Sequence, residues 1–244
     1  MKTQKYIFIF ISLLVIVSCK KDPLTVPVKF TSTTYQTLGS YDASGKPSYL
    51  APADIVSPTL LSFVNSTLQE KQDLRGTHPE LLTTKAIADI AISTSSDVFI
   101  TYISNGTGNH NTFAFYTYTT GQSPTSTKDI KTITYVFPNV GKNTTLQPGD
   151  KVKIGRFDAG ISIGFVILKN SWDINTKTVD SSAVHFCSND ILNPEVDPDL
   201  KKHAVLINYP AENKVLIGFE DVDRTEAICD NDFNDMMFYC TVVP

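Results

Sequence analysis

Residues 214–243 read KVLIGFEDVDRTEAICDNDFNDMMFYCTVV, in which two apolar segments flank an acidic loop. The flanking segments, 214–219 and 236–243, are rich in β-branched and aromatic residues and are typical of buried strands. If the two segments pair as a hairpin, the whole loop emerges at one end of a sheet. The stretch therefore predicts a β-fold that gathers carboxylates at one end.

The loop carries much more negative than positive charge. Its acidic residues are Glu220, Asp221, Asp223, Glu226, Asp230, Asp232 and Asp235, and Arg224 is the one basic residue between positions 218 and 240. Like charges held close together repel, and burying them unpaired is costly. Solvent, Arg224 or a metal ion must offset this charge.

The DNDFND motif (230–235) places oxygen-bearing side chains at alternate positions. Alternate oxygens on a tight loop can converge on one point, as in the first half of an EF-hand loop. The match ends there, because Asp235 stands where an EF-hand needs glycine and Thr241 where it needs glutamate. Such hard ligands suit calcium better than a transition metal. The predicted Ca²⁺ ligands are Glu220, Asp221, Asp230, Asp232, Asn234 and Asp235.

Two alternatives bear on this metal site. One is a solvated acidic loop in which Arg224 pairs part of the charge and the Asp and Asn side chains stabilise turns. The other is a contribution from a second acidic loop, CSNDILNPEVDPD (187–199), which would share a ligand with the main site. That second loop can equally be a polar surface loop stiffened by Pro194 and Pro198.

The rest of the chain after residue 96 also predicts strands separated by turn signals. With the two flanking segments, the predicted strands are 97–103, 112–119, 130–137, 150–157, 161–168, 183–187, 204–209, 214–219 and 236–243. About nine short strands without intervening helices predict a mainly β fold, an antiparallel β-sandwich or jelly-roll-like domain.

Two short helices are expected before the strands. Ser57 is a possible N-cap with Pro58 at the first helical position, and apolar residues from Leu60 to Leu68 fall on one stripe. HPELLTTKAIAD (78–89) predicts a second short helix that opens at Pro79. We expect both helices to cover one edge or end of a sheet.

The first nineteen residues indicate export and lipidation. Lys2 and Lys5 precede an apolar run from 7 to 17, which has the length of a signal-peptide core rather than of a spanning helix. The run ends at Cys19, as in bacterial lipoprotein signals, where this cysteine becomes lipidated and holds the protein to a membrane. An ordinary secretory signal with an incidental cysteine is the alternative. The predicted organisation is a signal at 1–19, a flexible tether at 20–54 and a β domain at 55–244.

Charge and histidine spacing exclude two classes of function. Removing residues 1–19 takes Lys2 and Lys5 from 21 basic residues and none of the 25 acidic ones, so the formal net charge changes from −4 to −6. Nucleic-acid binding is not expected, because it needs basic patches. The four histidines show no HxxxH or HxH spacing and no CxxC pair is present, which argues against a zinc enzyme.

Three cysteines remain after residue 19, namely Cys187, Cys229 and Cys240. An extended chain puts Cys240 on the order of 16 Å from Asp235, too far for a bond to Cys229 in the loop. We predict a Cys187–Cys229 disulfide and a buried free thiol at Cys240. Three reduced cysteines in the core are the alternative.

Several motifs together resemble one known family. VLIGFEDVDR and CDNDFNDMMFYC (215–240) are similar to the C-terminal signature of the LruC-type domain family, a domain of unknown function numbered 4114. Further similar segments are NHNTFAFYTY (109–118), GISIGFVILKNSWD (160–173), CSNDILNPEVDPDLKKHAVLI (187–207) and HPELL (78–82). The chain departs from the family pattern at Ala114 and Ser171, where the family has glycine.

The resemblance covers about residues 55–244 and implies a β-rich fold in an exported protein, as in Bacteroidetes lipoproteins. It also implies a calcium site in the acidic signature, and it supplies no activity. We expect an outer-membrane lipoprotein, at the cell surface or on the periplasmic face, that is not an enzyme and acts in adhesion or in capture of a glycan or surface protein. The alternatives are a carbohydrate-binding module of a glycan-uptake system and, third, a glycan hydrolase that uses the acidic cluster.

Overall fold

The computed structural model describes residues 23–26, 28–83 and 86–244. The predicted signal peptide and the predicted lipidation site at Cys19 lie outside these residues. Within the described ranges, none of the helices has the length and apolar character that a membrane crossing requires.

The described chain is mainly β, as predicted. The helices are α1 (Pro58–Thr67) and α2 (Leu74–Thr77). The strands are β1 (Thr34–Thr37), β2 (Ile90–Ala91), β3 (Ser96–Asn105), β4 (His110–Thr119), β5 (Thr132–Gly141), β6 (Lys151–Phe157), β7 (Ile161–Leu168), β8 (Trp172–Asp173), β9 (Thr178–Val179), β10 (His185–Cys187), β11 (Ala204–Tyr209), β12 (Lys214–Phe219) and β13 (Met236–Val243). All nine predicted strands are present, whereas β1, β2, β8 and β9 were not predicted.

Two main sheets organise these strands. One sheet has the order β1-β5-β4-β7-β10, with β2 also paired to β7, and the other has the order β11-β12-β13-β3-β6. A separate two-stranded sheet joins β8 and β9. Every pairing is antiparallel except that of β1 with β5, which is parallel.

The two main sheets share one hydrophobic core. Alternate side chains of β4, β5 and β7 meet those of β3, β12 and β13 in a single buried cluster. Phe113 of β4 stacks on Phe238 of β13 with ring centroids 4.0 Å apart, and Phe238 also stacks on Phe137 at 5.8 Å. These inter-sheet aromatic contacts hold β12 and β13, and hence the acidic loop, in a fixed position.

Helix α1 packs against the other face of the second sheet. Ser57 caps it, as predicted, by accepting a hydrogen bond from the Leu60 amide at 3.0 Å. Leu60, Val64 and Leu68 form the predicted stripe and pack with residues of β3, β12 and β13. The helix therefore covers a sheet face rather than the predicted edge or end.

The second helix differs from the prediction. It begins at Leu74, where Asp73 accepts a hydrogen bond from the Arg75 amide at 2.8 Å, and it ends at Thr77. The segment predicted to start a helix, Pro79–Leu82, makes a single 3₁₀ turn. The β-branched Thr83 adopts extended backbone angles and ends this turn.

Part of the predicted tether is built into the fold, which corrects the prediction for residues 20–54. Thr34–Thr37 forms β1, Phe30 is buried, and the Tyr49 hydroxyl donates to the Val136 carbonyl at 3.1 Å. The polar composition of the segment concealed its three anchoring aromatic residues, Phe30, Tyr35 and Tyr49. Aromatic side chains supply enough burial to order such a segment.

The predicted Cys187–Cys229 disulfide does not form, because Cys187, Cys229 and Cys240 are all free. Cys187 of β10 is buried in a small apolar cluster with Val166 and Leu192. Cys229 lies half-buried in the acidic loop, close enough to Glu220 for that charge to act on its thiol. The β10 backbone turns the Cys187 side chain into the apolar cluster. Cys240 is a buried free thiol, as predicted.

Candidate metal centre

The hairpin that carries the acidic loop forms as predicted. Strands β12 and β13 pair from Lys214 opposite Thr241 to Phe219 opposite Met236, so residues 220–235 emerge at one end of the sheet. The loop then folds back onto β12 at Gly218, where an added Cβ would lie 2.4 Å from the Phe233 carbonyl oxygen. Glycine is therefore needed at this close approach.

The DNDFND motif has an alternating backbone conformation. Asn231 and Phe233 both have a φ of 59°, in the left-handed region. This conformation is tolerated by asparagine but costs a residue such as phenylalanine on the order of 1 kcal/mol. Phe233 is fully buried with α1, and Asn231 accepts a hydrogen bond from Arg224 Nε at 2.8 Å. Asp232 lies between these two anchors, and Asp230 precedes them.

Three carboxylates form an outer triad made of Glu70, Asp230 and Asp232, whose oxygens all lie within 4.8 Å of one another. Oxygens that bind one Ca²⁺ at ~2.3–2.6 Å lie no more than about 5 Å apart, so this spacing suits one cation. The Lys71 amide and the Asn234 amide donate to Asp232 at 2.7 and 3.1 Å and fix its orientation. Glu70 is exposed, Asp230 is half-buried and Asp232 is buried.

Asn234 borders the triad across a small open space. Its side-chain amide donates to the Leu68 carbonyl at 3.3 Å, which leaves Oδ1 available. A Cβ at Gly106 would lie 3.1 Å from Asn234 Oδ1 and 3.5 Å from Glu70 Oε2. The absence of a side chain at position 106 thus keeps these two oxygens accessible, beside a cavity of about 310 Å³.

The other three predicted ligands, Glu220, Asp221 and Asp235, form an inner group behind the triad. Asp235 Oδ2 accepts a hydrogen bond from the Asp221 amide at 2.8 Å. The Asp221 carboxylate accepts hydrogen bonds from three side chains, those of Thr107 and Asn109 in the β3–β4 turn and that of Asn111 in β4. Asp221 is therefore satisfied by neutral donors.

Glu220 is the least satisfied member of the inner group. Its side chain is 1% exposed, and Oε1 accepts a 3.3 Å hydrogen bond from the Val222 amide. Oε2 has no hydrogen-bond partner among the described residues. A buried carboxylate oxygen without a donor is costly unless the group is protonated or meets a cation.

Burial and like charge raise the pKa values of three carboxyls in the cluster. Desolvation is the largest cause for both Glu220 and Asp232, and the charge of Asp230 also raises both pKa values. Hydrogen bonds oppose the shift in part, from Asp235 at Glu220 and from two backbone amides at Asp232. Desolvation and the charges of Asp221 and Glu220 hold the pKa of Asp235 well above its usual range. Ionisation of the cluster at neutral pH is therefore unfavourable in the absence of a counter-charge.

Arg224 does not supply that counter-charge by direct contact. Its Nη1 donates to the carbonyls of Asp199 and Lys202 at 3.2 and 3.1 Å, and its guanidinium lies 5.3 Å from the centre of the Phe233 ring. No ion pair joins Arg224 to a carboxylate in the part of the chain that the structure describes. The arginine instead ties the acidic loop to the segment before β11.

The second acidic loop acts as a brace and contributes no carboxylate to the outer triad. Asn193 bonds both the amide and the carbonyl of Cys187, at 2.6 and 2.9 Å. Glu195 Oε1 lies 2.8 Å from His203 Nε2, with both side chains fully buried. His203 Nδ1 in turn lies 2.9 Å from the Glu220 carbonyl oxygen, which connects this brace to the acidic loop.

The sequence predicted the acidic loop but missed its partners from elsewhere in the chain. Glu70 follows α1, and its position beside Asp230 depends on how that helix packs on the sheet. The asparagine-rich turn before β4 could have been placed beside the acidic loop from the sequence. An antiparallel pairing of β3 with β13 puts Asn105 opposite Met236, the residue that follows this loop. Nothing in the local sequence identified Glu70.

Comparison with known families finds one match. Residues 157–242 are similar to the family described as "Domain of unknown function (DUF4114)". The matched region runs from the end of β6 to the end of β13 and contains both acidic loops. It does not contain Glu70 or the β3–β4 turn. No curated protein and no solved structure matches the chain.

Proposed function

We propose that this chain is an exported, lipid-anchored protein whose β domain is stabilised by Ca²⁺ and acts in adhesion or ligand capture without enzymatic activity. The observation that carries the proposal is the buried Glu220 carboxylate, which has an oxygen without a donor among the described residues. It lies in a dense carboxylate cluster that Arg224 does not pair. A bound cation would offset the excess negative charge of this cluster.

Within this proposal, the outer triad supplies the direct ligands. Glu70, Asp230 and Asp232 present hard oxygens at a spacing that suits Ca²⁺, and Asn234 Oδ1 is available beside them. The inner group of Glu220, Asp221 and Asp235 adds negative charge to the same loop, and Asp235 holds the loop by accepting a hydrogen bond from the Asp221 amide. This assignment adds Glu70 to the ligands proposed from the sequence and gives Glu220, Asp221 and Asp235 an indirect role.

The distribution of the carboxylates supports a binding role over hydrolysis. A glycoside hydrolase uses two carboxyls on opposite sides of a sugar-binding cleft. Here the carboxylates cluster around one loop at one end of a sheet, and Glu220 and Asp221 of the inner group are buried. We further propose that the domain is an LruC-type β-sandwich, anchored through lipid on Cys19 in the outer membrane.

Calorimetric titration of Ca²⁺ into the EDTA-treated protein tests the metal site. We expect binding to be lost in Asp232→Asn, because this change removes a charged ligand at the centre of the triad. Glu226→Gln is the matched control, since Glu226 is exposed in the same loop and lies outside the triad. Equal binding by the Asp232→Asn variant and the parent chain would exclude the proposed triad.

A further inference from the structure

Four exposed apolar side chains lie where the described chain begins. They belong to Leu24, Val26, Val184 and Val196, which are 64, 53, 52 and 52% exposed. We call this set the apolar patch. Side chains of this type are normally buried, and a group of them on one surface indicates contact with another apolar body.

The backbone shows why three of these side chains share one face. Thr25 forms an antiparallel bridge with Glu195, the Val196 amide donates to the Leu24 carbonyl at 2.9 Å, and the Val26 amide donates to the Pro194 carbonyl at 2.6 Å. Side chains alternate between the two faces of such a ladder. Glu195 points inward to His203, so Leu24, Val26 and Val196 point outward.

Val184 lies beside the ladder, in the segment just before β10. It lines one cavity of about 340 Å³ together with Thr25 and Pro194, which belong to the ladder. Lys29 and Lys169 line the same cavity, as do Asp223 and Glu226. The rim of the patch therefore carries both signs of charge.

The position of Cys19 limits what the patch can face. Leu24 is five residue steps after Cys19, and a fully extended chain spans at most ~3.6 Å per residue, so Leu24 lies within about 18 Å of a lipidated Cys19. Lys20 and Lys21 lie in this connection and favour contact with anionic headgroups. A lipid on Cys19 thus brings the bilayer surface within reach of the patch.

We propose that the apolar patch is a lipid-docking surface that lies against the membrane holding Cys19, so that the domain is oriented rather than free to rotate on its anchor. This proposal rests on the proposed lipidation of Cys19. Its partner is the phospholipid bilayer. An apolar protein surface adds to the attachment that the lipid supplies.

The patch can be tested independently of natural lipidation. A chain that begins at Cys19 and carries Cys229→Ser can be coupled through Cys19 to maleimide lipid in phosphatidylcholine vesicles with brominated acyl chains. Cys187 and Cys240 are buried and should not compete for the maleimide. Bromine quenches nearby tryptophan, and the signal of the single natural residue, Trp172, is subtracted using the parent chain.

Val196→Trp places the probe in the patch, and Val184→Trp repeats the test at a second position. Ile55→Trp is the control, because Ile55 is 82% exposed next to Asp54, which bonds Gly149 just before β6. Strands β6 and β11 form the two opposite edges of one sheet. At ~4.8 Å between neighbouring strands, these two edges lie about 19 Å apart.

We expect quenching at positions 196 and 184 to exceed that at 55 by at least about twofold, because tryptophan in contact with a bilayer settles at the headgroup level. Equal quenching at all three positions, or greater quenching at 55, would overturn the proposal. Unquenched probes at 196 and 184, with a dimer in sedimentation that Val196→Asp dissociates, would assign the patch to a second copy of the chain. The mass of the N-terminal peptide from cell membranes tests lipidation separately.

Discussion

At the scale of single residues, the Glu220 carboxylate is held among those of Asp230, Asp232 and Asp235. Folding raises the pKa values of Glu220, Asp232 and Asp235, so each of these three carboxyls is easier to ionise in the unfolded chain than in the cluster without a cation. Nearby donors satisfy Asp221 and Asp232, whereas Glu220 Oε2 has no partner among the described residues. The folded protein therefore depends on what compensates this charge.

This dependence predicts the effect of pH in the absence of metal. The pKa values of Glu220 and Asp235 are raised by folding, so their stabilising contribution is fully present below the unfolded pKa near 4 and is lost as pH rises through the folded pKa. We expect the urea midpoint in EDTA to fall between about pH 5 and about pH 8. Excess Ca²⁺ should remove most of this decline. Equal slopes in Ca²⁺ and in EDTA would contradict the role of the cation.

Titration of His185 should change stability with pH in the opposite direction. Burial lowers its pKa from 6.5 to about 4, its Nδ1 donates to the Ala183 carbonyl oxygen at 2.7 Å, and its Nε2 lies 2.9 Å from the Tyr35 hydroxyl. The unfolded chain binds the extra proton below pH 6.5, so stability falls as pH decreases from about 6.5 to about 4, by about 3 kcal/mol in total.

The His185→Gln variant isolates this effect, because glutamine stays neutral. We expect the difference in unfolding free energy between the parent chain and His185→Gln to shift in favour of the variant as the pH is lowered. Urea titrations at several pH values measure it. A difference that stays constant with pH would show that His185 does not titrate in this range.

At the scale of elements, β1 is the main departure from what the sequence predicts. Tyr35 of β1 stacks on Tyr135 of β5 at 5.9 Å, and Phe30 stacks on His185 at 4.3 Å. Both contacts connect residues far apart in the chain. The segment is therefore stabilised by the sheet edge that it joins rather than by its own sequence.

Truncation tests this structural role. A chain that begins at residue 39 lacks β1 and Phe30, whose removal exposes the apolar cluster around β10. Loss of one buried aromatic side chain alone costs about 3–5 kcal/mol. We expect a clear decrease in the urea midpoint relative to a chain that begins at residue 23. Equal midpoints for the two chains would restore the interpretation of this segment as a tether.

The nine predicted strands were recognisable because each alternates or is rich in β-branched and aromatic residues over several positions. Strands β2, β8 and β9 are two residues long, which is too short for a periodic signal. The acidic loop was recognisable for a similar reason, since its carboxylates are close in sequence. Glu70 and the donors to Asp221 could not be assigned, because they approach the loop only through tertiary packing.

The predicted disulfide failed for a related reason. The distance along the chain from Asp235 excluded Cys240 as a partner of Cys229. The sequence does not determine the direction in which the Cys187 side chain points. In the structure that side chain is fully buried among apolar residues of β7 and the second loop. Side-chain direction on a three-residue strand follows from the register of β10 with β7, which the sequence does not specify.

At the scale of the whole molecule, the proposal joins a lipid anchor, an apolar patch and a metal-stabilised domain. The acidic loop and the patch are close, because Asp223 and Glu226 line the same cavity as Val184. The proposed metal site would then lie on the membrane-proximal side of the domain. Ligand capture would use the surfaces that face away from the membrane.

The anchor itself is tested by Cys19→Ser. We expect this variant to remain uncleaved or to appear in soluble form, because serine cannot carry the thioether-linked lipid. Phase separation in detergent measures the change, with Cys229→Ser as a control that should still partition into detergent. Unchanged partitioning of Cys19→Ser would exclude lipidation at this residue.

The central claim, that the carboxylate cluster binds a stabilising cation, is tested most directly by thermal unfolding of the parent chain in EDTA and in millimolar Ca²⁺. Binding to the native state alone adds about 2.7 kcal/mol at a hundredfold excess over Kd, which for a domain of this size raises the melting temperature by roughly 5–10 °C. We expect this rise in melting temperature for the parent chain and for Glu226→Gln, and we expect no rise for Asp232→Asn. The same melting temperature in EDTA and in Ca²⁺ for the parent chain would contradict it.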